Sequence, residues 1–475
     1  MIERELAIVQ QRDMSSFEKH AQKIINQHQI PGVGLGINID GKRVYDKGFG
    51  YRDVEQQLQV TEDTVFGIAS MTKSFACVAI MQLQEAGKLS VHDPVKTYLP
   101  NFRVPHPTYT DQITIHHLMT HTSGLPPLKT HVFARKRSID ADPSAKDYGL
   151  TLTDNEGDPI DTFDELIDYL ANADYEMLGE PGTEYSYSND TYGLLGAIIE
   201  KVSGESFEDY MQDHIFKPCG MTRSFILLDE LENFKDNMTE LYVAKQSENG
   251  TTVYAAPLWW DAPAMRAAGY IKSTVNDILK YLNSFIDDGD GTILSQESIK
   301  QMFYPHVEYE PGKFYGYGFR VTPNYVNGMT LIDHGGGLKA VSSMMCLIPE
   351  KGMSGVVLTN LSGVPAGDIL LGAVNQTIDQ PFDYLPRHFE EDSISQEALK
   401  AMTGTYKSGE GMKVTFVIDD EKLAIQSSTK VEHLRYVGEH MFVQPSSDRI
   451  IRFITNDDGE INRVFYQSRQ IYKTK

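Results

Sequence analysis

The sequence predicts an α+β fold followed by a small all-β unit, and three observations support this assignment. Strand patterns occur near the start of the chain and again within 328–359, whereas the patterns between them are mostly helical. This order predicts one antiparallel sheet flanked by helices, together with an all-helical subdomain. After a proline-containing, acidic stretch at 380–395, residues 400–475 form short alternating segments separated by turns, which is typical of a barrel or sandwich.

These observations divide the chain into two parts. At 475 residues the chain is too long for a single ordinary core. We therefore place one domain over 1–385 and the all-β unit over 395–475. Within the first domain, residues 126–180 are rich in Pro, Asp and Gly, and we expect them to form an inserted, partly mobile cover segment.

The elements of the first domain follow from hydrophobic periodicity and turn signals. A helix over about 1–30 should end before Pro31, and 32–39 alternates like a strand. The dipeptide Asp-Gly at 40–41 forms a hairpin turn, from which 42–50 returns as the partner strand. Further helices are predicted over 70–86, 113–119, 162–171, 191–202, 206–216 and 274–287. Further strands are predicted over 328–332, 341–348 and 355–359.

Composition excludes several classes of partner. The chain has 43 Lys+Arg against 66 Asp+Glu, a net charge of −23, which argues against binding to nucleic acid or to anionic membrane surfaces. No run approaches the roughly 20 apolar residues of a membrane span. The charged start at 1–20 has no apolar signal region, so we expect a cytoplasmic protein. The 3 cysteines lie far apart in apolar contexts, which predicts buried, reduced thiols.

The stretch around Ser70 is the first candidate for chemistry. Ser70 and Lys73 lie at the start of the 70–86 helix, which we predict to be amphipathic, and are three residues apart, so both face the same side of its first turn. A serine hydroxyl becomes a good nucleophile when a neighbouring base takes its proton, and a neutral lysine amine can do so. The same S-x-x-K spacing occurs by chance at Ser427 and Lys430, so the pattern alone is weak evidence.

A second motif, Tyr187-Ser188-Asn189, precedes the helix predicted over 191–202. Nearby cations favour the phenolate form of a tyrosine, which can then act as a general base. The amide of Asn189 can orient the lysine and a substrate carbonyl. The same Y-x-N spacing recurs at Tyr281 and Tyr325, where simple packing is the expected role.

The third motif is His-Gly-Gly-Gly at 334–337, between two predicted strands. Glycines allow backbone to approach a ligand closely, and a backbone N–H there can point into an oxyanion hole. Taken alone, the run also fits a glycine-rich turn with a surface histidine. A rival triplet, Lys-Ser-Gly at 407–409, lies beyond the domain boundary, and we interpret it as a coincidence.

The order of the three motifs resembles the serine β-lactamase-like superfamily, specifically its branch of class C β-lactamases, penicillin-binding proteins, D-aminopeptidases and esterases. The likeness covers about residues 20–375 and includes the stretches at 118–125, 194–200 and 216–221. It implies a β-lactamase/transpeptidase-like fold. Some members of this branch also carry a C-terminal β-barrel of lipocalin type, which would account for 395–475.

The resemblance also implies roles for individual residues. Ser70 would be the nucleophile, Lys73 its proton acceptor or electrostatic partner, and Tyr187 the general base. The oxyanion hole would consist of the backbone N–H groups of Ser70 and Gly337. The implied substrate-binding residues are Asn189, His334 and Gly336.

One departure from the superfamily pattern bears on the substrate. Penicillin-recognising members carry Lys-Thr/Ser-Gly where this chain has His334-Gly335-Gly336, and the histidine form resembles the peptidase- and esterase-like relatives. An imidazole titrates near neutrality and above that range carries little charge. We therefore expect a substrate's C-terminal carboxylate to contribute little binding, which favours action on amino-terminal residues or neutral esters.

Two classes of function remain open. The first is a metal-free serine hydrolase that forms an acyl-enzyme with small peptides, D-amino-acid-containing ones in particular, or with esters. Within it, a penicillin-binding protein or β-lactamase-like carboxypeptidase is the alternative. The second class is a catalytically weak sensor of cell-wall ligands. No cofactor is expected, and His117 and His121 have the i, i+4 spacing of a metal pair without an evident third ligand. The oligomeric state stays open, a homo-oligomer included.

Overall fold

The fold is described from a computed structural model, which covers residues 13–148, 157–247, 250–286, 292–427 and 430–474. The first part of the predicted N-terminal helix and most of the charged start of the chain lie outside these residues. Among the described residues, no helix has both the length and the apolar character needed to cross a membrane.

The helices confirm the predicted helical middle of the first domain. In chain order they are α1 (Ser15–His28), α2 (Thr72–Glu85), α3 (Val95–Tyr98), α4 (Tyr109–Gln112), α5 (Ile115–Met119), α6 (Thr130–Ala134), α7 (Lys136–Ala141), α8 (Phe163–Asn172), α9 (Asn189–Ser203), α10 (Phe207–Met211), α11 (Arg266–Gly269), α12 (Val275–Asn283), α13 (Gln296–Phe303), α14 (Ala366–Thr377) and α15 (Gln396–Met402). A π-helical turn over Gln212–Phe216 continues α10.

The main sheet of the first domain draws its strands from both ends of the domain, as predicted, whereas the short strands of two small sheets lie between them. In chain order the strands of the domain are β1 (Gly32–Ile39), β2 (Lys42–Asp53), β3 (Leu58–Gln59), β4 (Phe66–Gly67), β5 (Tyr242–Ser247), β6 (Gly250–Ala255), β7 (Lys272–Ser273), β8 (Val307–Glu310), β9 (Lys313–Tyr315), β10 (Arg320–Val326), β11 (Met329–Leu338), β12 (Val341–Ile348) and β13 (Met353–Thr359).

Nine of these strands form one antiparallel sheet in the order β3-β2-β1-β13-β12-β11-β10-β9-β8. Helices cover both faces of the sheet, and alternate residues of each strand point to opposite faces. On β12, Met344 and Cys346 belong to the core beneath α1 and α14. Met345 and Leu347 belong to the larger core that contains α2 and α12. The site lies on this second side of the sheet.

Two features of the helical region differ from expectation. Helix α2 is buried on nearly every side rather than amphipathic, so it is the central helix of the domain. The stretch 126–180 is not a surface cover where it is described, because its Phe133, Leu166 and Leu170 belong to the main core. The helix predicted within this stretch over 162–171 is present as α8, and its apolar residues at helical spacing face that core.

The last part of the chain is a nearly closed, barrel-shaped sheet of nine strands, as the alternating pattern predicted. Its order is β17-β16-β15-β14-β22-β21-β20-β19-β18, with a core of its own centred on Phe416, Phe442 and Phe453. The strands are β14 (Gly404–Lys407), β15 (Lys413–Asp419), β16 (Lys422–Gln426), β17 (Val431–His433), β18 (Arg435–Gly438), β19 (Met441–Gln444), β20 (Arg449–Thr455), β21 (Ile461–Tyr466) and β22 (Arg469–Lys473).

A cluster of aromatic residues joins this barrel to the first domain. Phe465 of β21 packs with Tyr185, Tyr309 and Tyr315, and the partly buried Tyr187 lies against the same cluster. Polar contacts surround it, among them a hydrogen bond from Arg463 to the Leu178 carbonyl at 3.0 Å. The two units therefore meet beside the segment that carries the second motif.

Candidate active site

Ser70 lies on a tight turn immediately before α2. The 3₁₀ turn Ala69–Met71 precedes the helix, and Ala69 adopts φ +47°, a left-handed conformation that non-glycine residues rarely take. Such conformations cost free energy and persist where the surroundings impose them. The turn leaves Ser70 partly exposed at the N-terminus of a buried helix, where the helix dipole favours negative charge.

Lys73 is fully buried and makes three polar contacts. Its Nζ lies 2.8 Å from Asn189 Oδ1, 2.7 Å from the carbonyl oxygen of Ala268 and 3.3 Å from Ser70 Oγ. The rings of Tyr187 and Tyr192 also face it, at 4.8 and 5.2 Å from their centroids. The motif spacing thus places the amine beside the serine, as predicted.

Burial holds the pKa of Lys73 well below its ordinary value, and the neighbouring Arg469 lowers that pKa further. A neutral amine has two N–H donors and one lone pair. The amide oxygen of Asn189 and the Ala268 carbonyl accept the two donors. The lone pair is then left for the Ser70 hydroxyl, so the geometry suits an amine that accepts the serine proton.

The Ser70 hydroxyl interacts with the Tyr187 phenol and lowers its pKa, so the second motif meets the first. The electrostatics of Tyr187 differ from the expected ones. Burial raises the pKa of Tyr187 to about 12, and this outweighs the lowering caused by Ser70 and Arg469. The expectation that nearby cations favour the phenolate is therefore wrong, because desolvation dominates. Tyr187 is a protonated phenol at neutral pH.

Asn189 begins α9, which Ser188 caps through its side chain. Its Oδ1 accepts from Lys73, whereas its Nδ2 donates to Glu410 Oε1 at 3.1 Å and lies 3.3 Å from Nδ1 of His131. The amide is therefore fully engaged by protein groups, and a substrate carbonyl would have to displace one of them.

His334 does not lie where the sequence analysis expected it. The run at 334–337 belongs to β11 itself rather than to a turn between strands. The imidazole is buried, with Nε2 2.9 Å from the Tyr315 hydroxyl and Nδ1 2.7 Å from the Gly335 carbonyl oxygen. Burial lowers the pKa of His334 well below its ordinary value, so it does not titrate near neutrality as expected.

The two following glycines have different surroundings. A Cβ on Gly336 would lie 2.3 Å from the Ile68 carbonyl oxygen and 2.4 Å from Ser343 Oγ, so β11 packs directly against the approach to Ser70. A Cβ on Gly337 would meet no described atom within 4 Å, and the residue is exposed. Gly337 thus borders open space on the strand that packs against the approach to Ser70.

The sequence analysis missed two charged residues, Glu410 and Arg469, which the C-terminal barrel brings to the site. Glu410 directly follows the triplet at 407–409, which we interpreted as a coincidence. Lys407 of that triplet is exposed, whereas Glu410 enters the site. Nothing in the sequence indicated Arg469, whose guanidinium carbon lies 4.8 Å from the centroid of the Tyr187 ring.

Two other candidates are used differently. His117 Nδ1 accepts from the Thr114 N–H in a helix cap, and His121 Nδ1 accepts from the Ser188 N–H, so these two are not a metal pair. Within the described residues, no group of three or more His, Cys, Asp or Glu side chains has metal-binding geometry. Ser427, from the second S-x-x-K, bonds the backbone of Lys430 on an exposed turn; the residues between them lie outside the described part.

Comparisons with known proteins agree with this architecture. The chain is 26% identical over 472 residues to penicillin-binding protein 4* of Bacillus subtilis (strain 168), which covers 94% of this chain and 96% of that protein. It is 34% identical over 309 residues to penicillin-binding protein PbpX of the same organism, covering 64% of this chain. The matches span 66% of PbpX and 61% of Protein flp from Staphylococcus aureus, about two thirds or less of those relatives.

Solved structures agree over nearly the whole chain. The octameric penicillin-binding protein homologue from Pyrococcus abyssi is 30% identical, with a TM-score of 0.69 over 97% of this chain and 100% of that one. A class C β-lactamase, at 20% identity and a TM-score of 0.59, shares the fold over 77% of this chain and 93% of its own. The family model named Beta-lactamase matches residues 17–375. The chain therefore belongs to the Beta-lactamase family, within the serine β-lactamase-like superfamily.

Proposed function

We propose that this protein is a serine hydrolase that forms an acyl-enzyme at Ser70 and acts on small peptides, particularly those containing D-amino acids, or on esters. The observation that carries the proposal is the environment of Lys73. Its amine is buried, has a lowered pKa, and directs two donors to protein acceptors while it lies 3.3 Å from Ser70 Oγ. A buried lysine prepared in this way serves a neighbouring nucleophile rather than stability.

In the acylation step, the Ser70 hydroxyl gives its proton to the neutral amine of Lys73 while Oγ forms a bond to the substrate carbonyl carbon. The carbonyl π electrons move to oxygen, and the backbone N–H groups of Ser70 and Gly337 are the proposed donors to that oxyanion. The open space beside Gly337 supports this assignment, because a substrate oxygen can reach that strand.

The leaving group then departs as the bond from the carbonyl carbon to its nitrogen or oxygen breaks. It needs a proton, and Lys73 now carries one. Tyr187 remains protonated, interacts with Ser70 and lies against the Lys73 amine, so its phenol can pass its own proton to the leaving atom and recover one from the ammonium. Deacylation repeats the steps with water as nucleophile, and Ser70 regains its proton.

The proposed substrate class rests on charge near the third motif. Because His334 is buried and its pKa lies well below neutrality, it offers no cation to a terminal carboxylate. We therefore favour action on amino-terminal residues or neutral esters over carboxypeptidase action. Several relatives are named penicillin-binding proteins, and reaction of Ser70 with a penicillin is an extension of the same proposal.

The test is mass spectrometry after incubation with a fluorophosphonate and, separately, with a penicillin. The wild type should gain one adduct on Ser70, and Ser70→Ala should gain none and should lose hydrolysis of an activated ester. Ser427→Ala is the matched control, because that serine has the same S-x-x-K spacing without a buried lysine, and it should behave as wild type. Ester turnover by Ser70→Ala near the wild-type rate would refute the proposal.

Assembly is a separate proposal. The Pyrococcus abyssi homologue is described as octameric and matches 97% of this chain, which supports a homo-oligomer here. Light scattering coupled to size exclusion gives the mass directly. A single species at the 53.4 kDa of one chain over a wide concentration range would exclude the oligomer.

A further inference from the structure

The C-terminal barrel reaches the candidate active site through two turns. The turn between β21 and β22 lies along the segment that carries Tyr187: the Tyr187 N–H donates to the Ser468 carbonyl at 2.8 Å, and the Gln470 N–H donates to Ser186 Oγ at 3.2 Å. The Gln470 amide also donates to the Tyr185 carbonyl at 3.2 Å. The backbone around Tyr187 is therefore held by the barrel and not by its own domain alone.

The second turn joins β14 to β15 and carries Glu410. The Gly409 N–H donates to the Pro127 carbonyl at 2.9 Å, which fixes this turn on the first domain. Glu410 then accepts from Asn189 Nδ2 through Oε1 at 3.1 Å. Its other oxygen, Oε2, accepts from Arg469 Nε at 2.5 Å, so the two turns meet in an ion pair.

The ion pair is largely removed from water, with 17% of the Arg469 side chain and 6% of the Glu410 side chain exposed. Burying two charges costs free energy that their attraction often fails to recover, so a contribution to stability is a weak reason for such a pair. Each partner instead contacts a residue of the candidate active site. Arg469 stacks over the Tyr187 ring, and Glu410 holds the Asn189 amide whose oxygen binds Lys73.

We propose that Glu410 and Arg469 are positioning residues of the active site, through which the C-terminal barrel fixes Tyr187 and Asn189 around Ser70 and Lys73. The barrel is then part of the catalytic machinery rather than a dispensable cover. This inference rests on the proposed function to the extent that Ser70 is the nucleophile whose reactivity is measured.

The two partners should act on the proton acceptor with opposite sign. The charge of Arg469 lowers the pKa of both Lys73 and Tyr187, whereas that of Glu410 raises both. Several other titratable groups lie near Lys73 and Tyr187 and are present in every variant: Cys77, Asp190, Tyr192, Arg320, His121, His131 and His334. Arg469 also lowers the pKa of His121 and of His131, and His131 Nδ1 lies 3.8 Å from Glu410 Oε1.

The experiment measures the rate of fluorophosphonate labelling of Ser70 in the full-length protein from about pH 5 to about pH 10, a range that lies below the ordinary pKa of a lysine amine. Labelling requires the acceptor to be unprotonated, so the rate rises with pH through its pKa. Arg469→Gln should move this rise to higher pH by about one unit, and Glu410→Gln should move it to lower pH by a similar amount. The double variant should fall between them.

Two further variants separate positioning from a merely structural role. Arg469→Lys keeps the cation and should restore the position of the rise, though with a lower plateau, because the planar stacking on Tyr187 is lost. Arg387→Gln is the control: it breaks another buried ion pair, with Glu310 at 3.1 Å, that does not contact the catalytic side chains. It should leave the rise where it is.

The outcomes are distinct from those of the proposed function. If Ser70→Ala is inert while Arg469→Gln and Glu410→Gln keep the wild-type profile, the inference fails and the proposed function stands. The same holds if both variants move the profile in one direction together with a fall in thermal stability, since that indicates general loosening. If wild-type Ser70 takes no label at any pH, the proposed function itself fails.

Discussion

The segment 69–73 and the strand segment 334–337 form two sides of one site. Each contains a buried nitrogen base, Lys73 in the first and His334 in the second. The pKa of Lys73 and that of His334 both lie well below their ordinary values, and burial is the main cause in each case. They differ in their partners. The Lys73 amine has two protein acceptors and a lone pair beside Ser70, whereas both nitrogens of His334 are occupied, by Tyr315 and the Gly335 carbonyl.

This difference shows that burial and a shifted pKa do not by themselves assign a catalytic role. A group whose hydrogen-bonding atoms all have partners within the protein has a structural role, even when it lies close to the candidate active site. An amine whose lone pair points at the Ser70 hydroxyl is available for proton transfer. The comparison makes separate predictions for the two sides of the site.

The largest expected effect comes from the lysine side. Lys73→Ala and Tyr187→Phe should each lower kcat by about 10²-fold or more, because each removes a positioned proton-transfer group. Steady-state hydrolysis of an activated ester measures the loss, and circular dichroism checks the fold. His334→Gln should cost less activity than either. A larger loss for His334→Gln than for Lys73→Ala would reverse the roles assigned to the two sides.

Acid should reveal the histidine side through stability. His121, His131 and His334 are buried, and their pKa values lie well below the ordinary one. Below about pH 6.5 the unfolded chain binds protons that the folded protein excludes, so stability is full above that pH and falls beneath it. Each such histidine should contribute a slope of about 1.4 kcal/mol per pH unit.

Urea unfolding at a series of pH values from about 7.5 down to about 5.5 measures the total slope, to which these three groups together should contribute about 4 kcal/mol per pH unit. His116, whose pKa is lowered to about 4, adds to the total, and Asp190, whose pKa is raised to about 7, opposes it, so the change between variants is the informative quantity. His334→Gln should reduce the slope by about 1.4 kcal/mol per pH unit. An unchanged slope in that variant would mean that His334 protonates readily in the folded state.

A matched pair of glycine variants tests how closely the two sides pack. In Gly336→Ala the new methyl meets the Ile68 carbonyl oxygen, so something must move, and we expect a loss of about 1–3 kcal/mol in the free energy of unfolding. Gly337→Ala places its methyl in open space and should cost less than about 0.5 kcal/mol. Thermal melts of both variants decide the matter, and equal destabilisation would contradict the packing described here.

The sequence predicted best what depends on local spacing. Ser70 and Lys73 share one helical turn, so their proximity follows from a three-residue separation. The hairpin of β1 and β2 follows from the Asp-Gly turn, whose residues both have positive φ. The superfamily resemblance supplied the meeting of Tyr187 with Ser70, which no local pattern contains.

What the sequence did not predict depends on distant packing. The run at 334–337 suggested a turn because glycine weakens strands. It lies in β11 instead, and position 336 is a glycine because the Ile68 carbonyl leaves no room for a side chain there. Glu410 and Arg469 lie in hairpin turns of the barrel, and their pattern resembles that of any solvated turn. Their role arises only when the barrel packs against the first domain, and short sequence motifs do not predict how two domains pack.

The smallest expected effect concerns substrate choice, where His334 should change nothing with pH. The sequence argument predicted that its imidazole would titrate near neutrality and alter the binding of a substrate carboxylate. In the folded protein burial and the nearby Arg320 and Lys73 all lower the pKa of His334, so we expect it to carry no charge across about pH 6 to pH 9.

Two short D-alanine peptides, one with a free and one with an amidated C-terminus, provide the measurement. The kcat/KM of both peptides should change together with pH as Lys73 titrates, and the ratio of the two values should stay constant across that range. A ratio that shifts with a midpoint near pH 6.5 and loses this dependence in His334→Gln would show that the imidazole is charged in the folded protein. A constant preference for the free acid of more than about tenfold, or about 1.4 kcal/mol, would point instead to another cation. Arg469 would then be the first residue to test, because Glu410 compensates its charge only while the ion pair is intact.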